Sequence, residues 1–183
     1  MSDTGTEAAA RLAALGSVTV EQGLTDAEFA RVEQTLGFEF ADDHRAFLAA
    51  GLPVGPLWPH WRGEGRKSLQ KRMQLPIEGI LFAVEWNDFW TPGWVQRPAR
   101  MKDALRTANY QLARAPRLVP VSSHHYLPAG RGAFGHPVLS VVQTDVVAVG
   151  SDLADYIAGE FGSDADPPAP AVPTVDFWST LVP

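Results

Sequence analysis

Val138-Leu139-Ser140-Val141-Val142-Gln143-Thr144-Asp145-Val146-Val147-Ala148-Val149-Gly150-Ser151-Asp152-Leu153 is the stretch that decides the fold class. Two β-branched runs flank a polar turn, Gln143-Thr144-Asp145, so the first run returns on itself as a hairpin. Ser151 or Asp152 then caps a helix that carries Leu153, Tyr156, Ile157 and Phe161 at helical spacing, and Gly162 closes it. A hairpin feeding a helix, rather than strands alternating with helices, predicts an α+β domain.

Upstream, Leu118 to Val121 reads as another strand. A helix over 98–114 has Met101, Leu105, Ala108 and Leu112 on one face, and Pro116 ends it. Nearer the start, Thr25-Asp26-Ala27-Glu28 is a capping box: the Thr25 hydroxyl caps the first turn and Glu28 reaches back. Phe29, Val32 and Leu36 follow at helical spacing, with Gly37 as the stop. A second helix over 42–50 places Asp42 and Asp43 at its positive end, so the two form an αα-hairpin. Residues 5–15 read as a peripheral Ala-rich helix and Val18-Thr19-Val20 as a short strand. Ile80-Leu81-Phe82-Ala83-Val84 reads as a buried strand, and residues 51–76, with four prolines, as an irregular loop long enough to be functional or mobile.

The expected architecture is thus one α+β domain: a mixed, mostly antiparallel sheet packed by four to five helices. It divides into an N-terminal helical extension (1–19), the domain proper (20–162), a Pro/Ala-rich linker (163–173) and an apolar docking tail (174–183). The chain has 183 residues, 45% of them hydrophobic, which suffices for one core without staples. It has no cysteine, which excludes disulfides, thiolate metal sites and a cysteine nucleophile. No apolar run approaches a membrane span. Met1-Ser2-Asp3-Thr4 lacks a basic n-region and an apolar h-region. The expected location is the cytoplasm.

Net charge is −6 and unevenly spread. Residues 1–59 carry nine acids and three Lys/Arg, residues 60–117 eleven Lys/Arg and five acids, and residues 118–183 seven acids and one Arg. Such asymmetry can steer a charged partner, or it can mark a solvated helix face. Arg62, Arg66, Lys67, Lys71 and Arg72 offer little aromatic content for nucleic acid, and the acidic balance argues against that partner.

Literal catalytic motifs are few. Gly130-Arg131-Gly132-Ala133-Phe134-Gly135 matches G-x-G-x-x-G, but Pro137 and a strand follow where a nucleotide site needs a helix; it reads as a loop between strands. His124-His125-Tyr126 follows a strand, where neighbouring side chains point to opposite faces, so no metal site is expected. Neither is a cofactor. Glu85, Trp86, His124, His125 and Tyr126 are the candidate lining of a small-molecule or carbohydrate pocket, or of a weak hydrolase. Trp58, Trp61, Trp90 and Trp94 lie in Pro/Gly-rich segments and are the candidate partner-binding residues, since loop tryptophans are frequent binding hot spots; their alternative is an aromatic core.

One resemblance stands beside this reading. The second helix Phe40-Ala41-Asp42-Asp43-His44-Arg45-Ala46-Phe47-Leu48 precedes Gly79-Ile80-Leu81-Phe82, Leu118-Val119-Pro120-Val121 and Pro137-Val138-Leu139-Ser140-Val141-Val142-Gln143-Thr144-Asp145. The helix opened by Gly150-Ser151-Asp152-Leu153-Ala154-Asp155-Tyr156 comes last. Over residues 20–162 this order resembles the SUKH superfamily, the domain of the yeast Smi/Knr cell-wall regulator, in a form like those of actinobacteria. The resemblance implies a helix-packed mixed sheet, no enzymatic activity and a protein partner. In bacteria that partner is often a nuclease toxin neutralised by an immunity protein. A housekeeping or regulatory interaction role is the rival it leaves open; a homo-oligomer is a separate alternative.

Overall fold

The hairpins set the geometry of the main sheet. In the computed structural model, which describes residues 4–162 and 174–183, β3 (Leu118–Ser122) turns through Ser123-His124 into β4 (His125–Pro128). Likewise β5 (Val138–Val142) turns through Gln143-Thr144 into β6 (Asp145–Gly150). Ser123 and Gln143 take the positive φ (50° and 55°) that tight hairpin turns require. The four strands pair antiparallel in chain order, with a bulge between Pro120 and Ser122.

Period-two alternation sends each strand's residues to two separate cores. Val119, Val121, Leu127 and Val138 join the first core, with side chains from α1 (Thr4–Leu15), α2 (Asp26–Leu36), α3 (Asp42–Ala50) and α6 (Leu153–Phe161). Leu118, Tyr126, Leu139, Val141 and Val146 join the second, with Ile80 of α4 (Arg66–Trp86), Leu112 of α5 (Met101–Leu112), and Val175 and Trp178 of the C-terminal segment. The sheet therefore lies between two helical layers, and β3 and β4 are buried along their whole length. A small antiparallel ribbon of β1 (Thr19–Glu21) and β2 (Leu52–Val54) flanks the α2–α3 hairpin. The described residues form six α-helices and two antiparallel sheets, an α+β domain.

Residues 80–84 are not a strand. They belong to α4, a 21-residue helix that continues through Pro76. Its buried residues Leu69, Met73, Pro76, Ile80, Ala83 and Val84 share one face, which tertiary burial stabilises although Pro76 cannot donate to the carbonyl one turn back. The irregular segment shrinks accordingly to the residues between β2 and α4. One block carrying the family resemblance, Gly79 to Phe82, is thereby helical. Strand β4 is the converse, an element the sequence reading left unassigned.

The N-terminal helix is not peripheral either. Its Ala8 and Leu12 are fully buried, and it packs between α3 and α6. The capping box of α2 forms as expected: the Glu28 amide donates to Thr25 Oγ1 (3.3 Å) and the Thr25 amide to Glu28 Oε2 (2.8 Å). Arg62 joins it, its Nε donating to Glu28 Oε1 at 2.5 Å. That guanidinium holds the Glu28 carboxyl down at about 2. Residues 163–173 lie outside the described residues. Beyond them the tail docks through Trp178, which is fully buried and donates its indole N–H to Pro116 O at 2.9 Å.

Helix α4 meets the β5–β6 hairpin at Gly79, where an added Cβ would stand 2.9 Å from Gln143 Cα. Helix propensity alone favours Gly79→Ala by about 1 kcal/mol, whereas overpacking against backbone costs about 1–3 kcal/mol. The substitution is therefore expected to lower the urea midpoint of unfolding; a raised midpoint would show that α4 can move off the hairpin freely.

Candidate functional site

The tryptophans divide into three groups. Trp58 and Trp61 are core residues, not partner-facing ones, at 4% and 2% exposure. Trp58 stacks on Phe161 at 5.2 Å, and Trp61 meets the edge of Phe40 at 5.1 Å. The Pro-rich segment turns them inward, Trp58 onto Phe47 of α3 and Phe161 of α6, and Trp61 onto Phe38 and Phe40. Trp90 and Trp94 are half-buried. Trp94 is held between Trp90 (edge-on, 5.0 Å) and Phe177 of the tail (stacked, 5.7 Å), and the Trp90 indole donates to Val95 O at 2.9 Å. Trp86 is 68% exposed at the end of α4, with Phe82 one turn back at a ring separation of 6.5 Å.

Glu85, Trp86, His124, His125 and Tyr126 do not converge into a pocket. Tyr126 points into the second core, which contains Ile80 of α4. His125, its neighbour on β4, points to the opposite face and shares a 2.8 Å hydrogen bond with Tyr156 of α6 through its Nδ1. The sheet thus stands between the buried imidazole and the helix that carries Glu85 and Trp86. His124 sits exposed at the hairpin turn, where its Nδ1 bonds Ser123 Oγ at 3.1 Å. Among the described residues no group of three or more His, Asp or Glu is placed to hold a metal ion.

The glycine-rich loop is a clasp. Gly132 N donates to Asp42 Oδ1 and Gly135 N to Asp43 Oδ2, each at 2.9 Å, while Asp42 N donates to Ala133 O at 2.7 Å. Gly132 and Gly135 have φ of +84° and +68°, which lets the loop turn its amides toward α3. The amides that would cradle a phosphate in a nucleotide site here bind this chain's own carboxylates. Burial pushes the Asp43 carboxyl up, against the pull of the amides of Gly135, His44 and Asp43 itself.

The basic middle of the chain is largely spent on internal stitching. Arg62 pairs with Glu28, Arg72 with Glu64 (2.8 Å) and Arg97 with Asp88 (2.6 Å), while Arg117 donates to Leu36 O and Gly37 O at the C-terminal end of α2. Arg66, Lys67 and Lys71 remain on the solvent side of α4.

That solvent side carries the most exposed apolar feature of a regular element. Leu75, Phe82 and Trp86 are 47%, 46% and 68% exposed. Their i, i+7, i+11 spacing puts them within about 40° of one another on the helix surface. Glu78 and Glu85, both exposed, run alongside. The spacing is legible once residues 66–86 are read as one helix. A strand reading scatters the three residues and hides the ridge. A separate open cleft of about 840 Å³ lies between the Thr91–Trp94 turn, the end of α5 and the tail, with Arg114, Asp176 and Phe177 among its walls.

Comparison with protein-family models, with curated proteins and with solved structures finds no match for this chain.

Two buried imidazoles make stability depend on pH. His44 of α3 is fully enclosed, edge-on to Phe40, with neither ring nitrogen hydrogen-bonded among the described residues, and burial lowers its pKa to about 3. Burial, with the neighbouring His124 charge, lowers His125 to about 4. An unfolded histidine titrates near 6.5, so below that pH the unfolded chain takes up protons that the folded one refuses. Stability is therefore expected to fall as pH drops from about 6.5 towards 4, by about 1.4 kcal/mol per pH unit per histidine. His44→Phe removes one of the two contributions and an unsatisfied buried polar group. Urea unfolding at pH 7, 6 and 5 should give a variant more stable at pH 7 by about 1 kcal/mol, with about half the pH slope; an unchanged slope refutes the assignment.

Proposed function

We propose that this protein is a non-catalytic protein-binding module, and specifically a cytoplasmic immunity protein of the SUKH kind whose partner is a basic, nuclease-type toxin. The observation that carries the reading is the Leu75–Phe82–Trp86 ridge on α4, with Trp86 68% exposed and Phe82 beside it. A large aromatic left in water on a rigid helix is a ready anchor, because a partner can bury it at little entropic cost. Lys67 and Lys71 border the Leu75 end of the ridge and Glu78 and Glu85 its aromatic end, where acidic groups raise the association rate with a basic partner. The family resemblance supports the same role. Described helices offer no candidate membrane span, which is compatible with the location proposed.

Histidine chemistry is not part of this reading, since His125 and His44 are neutral core residues. The docking face proposed here also differs from the loop tryptophans, of which Trp58 and Trp61 serve the core. Trp86 moves from candidate pocket lining to principal anchor.

The test is co-expression with the toxin encoded alongside, scored by survival and by the affinity of the purified pair. Phe82→Ala/Trp86→Ala is expected to abolish protection and weaken binding about 30-fold or more, with an unfolding midpoint close to wild type because both side chains are largely outside the core. Tyr110→Ala, at an exposed aromatic on α5, should leave binding unchanged. Full affinity in the double variant rejects the ridge as the docking face. Binding to a non-toxin partner through the same ridge, without protection, selects the regulatory-scaffold role instead.

A further inference from the structure

The C-terminal segment is bound to the rest of the molecule as a peptide ligand is bound to a receptor. Residues 174–183 make no backbone hydrogen bond to the body among the described residues, and they extend neither sheet. Their backbone bonds stay within the segment: Ser179 N donates to Val175 O (2.8 Å), and Val175 N to Ser179 Oγ (2.7 Å). The result is a self-contained aromatic turn. It is held by side chains: Val175 and Trp178 sink into the second core, Phe177 stacks on Trp94, Trp178 donates to Pro116 O, and Thr174 Oγ1 shares a 2.7 Å bond with His136 Nδ1. Phe177 adopts φ +62°, ψ −60°, a sparsely populated conformation that costs of order 1 kcal/mol and is held by its two aromatic neighbours.

Eleven residues, 163–173, join this turn to α6, four of them proline. Helix α6 covers one face of the main sheet and the tail covers the other. With layers spaced about 10 Å, the described ends on either side, in α6 and in the tail, stand roughly 20 Å apart across the sheet. Eleven residues reach about 40 Å at most, enough to reach the seat of this body or of a neighbouring one.

We propose that the seat formed by Trp94, Leu112, Pro116, Leu118 and Val146 is a peptide-recognition groove for the segment Val175-Asp176-Phe177-Trp178-Ser179-Thr180-Leu181, and that a second copy of this chain can supply the segment in trans. The tether gives the chain's own tail a local concentration near the millimolar range, so the monomer prevails in dilute solution and reciprocal exchange produces a tail-swapped dimer when the tether is restricted. The groove uses the buried side of α4, where Met73, Pro76 and Ile77 line a cavity with Trp178, and none of the exposed ridge residues, so it is distinct from the proposed partner site. This is a side-chain-driven exchange: no sheet pairing is broken when a tail leaves.

Deleting residues 164–171 leaves three linker residues, which reach about 14 Å and fall short of that separation. The shortened chain is expected to be a dimer by light scattering, with the overall tryptophan emission maximum of the full chain retained. A monomer overturns the proposal, whether its tail is seated or exposed. A second measurement serves if the deletion impairs folding. A protease site placed within 163–173 of the full chain is cut, and a fluorescent peptide of residues 174–183 is titrated in. Saturable binding is expected, with unlabelled peptide competing and the Trp178→Ala peptide about 30-fold weaker. No exchange, or equal binding by the two peptides, overturns the groove as a recognition site.

Discussion

A four-stranded sheet buried on both faces needs two independent covers, and this requirement organises the protein. Each strand must send alternate residues into different cores. A one-residue slip would exchange Val119 and Val121 with Leu118, and Leu127 with Tyr126, across the sheet. The tight Ser123-His124 and Gln143-Thr144 turns hold the register against that slip. Helices α1, α3 and α6 supply one cover. The other is incomplete with α4 and α5 alone, and the tail completes it with Trp178. A residue near the end of the chain is thereby as central to the second core as Leu139 in the middle of the sheet.

Burial on both faces also decides what polar groups do. His125 is drawn into the first core and stays neutral against Tyr156, while the adjacent Tyr126 goes to the second. His44 is fully buried edge-on to Phe40, with no partner for either nitrogen among the described residues. Asp43 is buried but satisfied, because the glycine-rich loop brings the amide of Gly135 to it. These residues have the types that catalytic sites use, yet their geometry ties each to folding. The surface keeps two features of another kind: a helix face where an aromatic pair stands in water beside Glu78 and Glu85, and a groove filled by the C-terminal segment.

The candidate site was less legible than the fold, for a definite reason. Trp58 and Trp61 sit among prolines and glycines, which signals a loop but not which way the loop faces. Their burial follows from the rings they meet, Phe47 and Phe161 for Trp58, Phe38 and Phe40 for Trp61. Trp86 was visible as part of an aromatic cluster, but its exposure depends on α4 being helical through Pro76. Short apolar runs such as 80–84 satisfy strand and helix patterns equally, and the wider 69–84 spacing that separates them is interrupted by a residue that usually ends helices.

Local chemistry in the sequence was enough for the α+β class, the capped α2, the acidic start of α3, the β5–β6 hairpin and the capped α6. Each is specified by neighbours within a few positions, through hydrogen-bonding caps, turn residues and side-chain period. Tertiary structure alone decided that α4 is a helix, that α1 is integral to the first core, and that the glycine-rich loop holds carboxylates. It also decided that His125 and Tyr126 face opposite ways into packed cores, and that one tryptophan of the 86–94 cluster stands free while its neighbours pack. Those outcomes depend on which surfaces meet across the sheet, a long-range condition that no local pattern encodes.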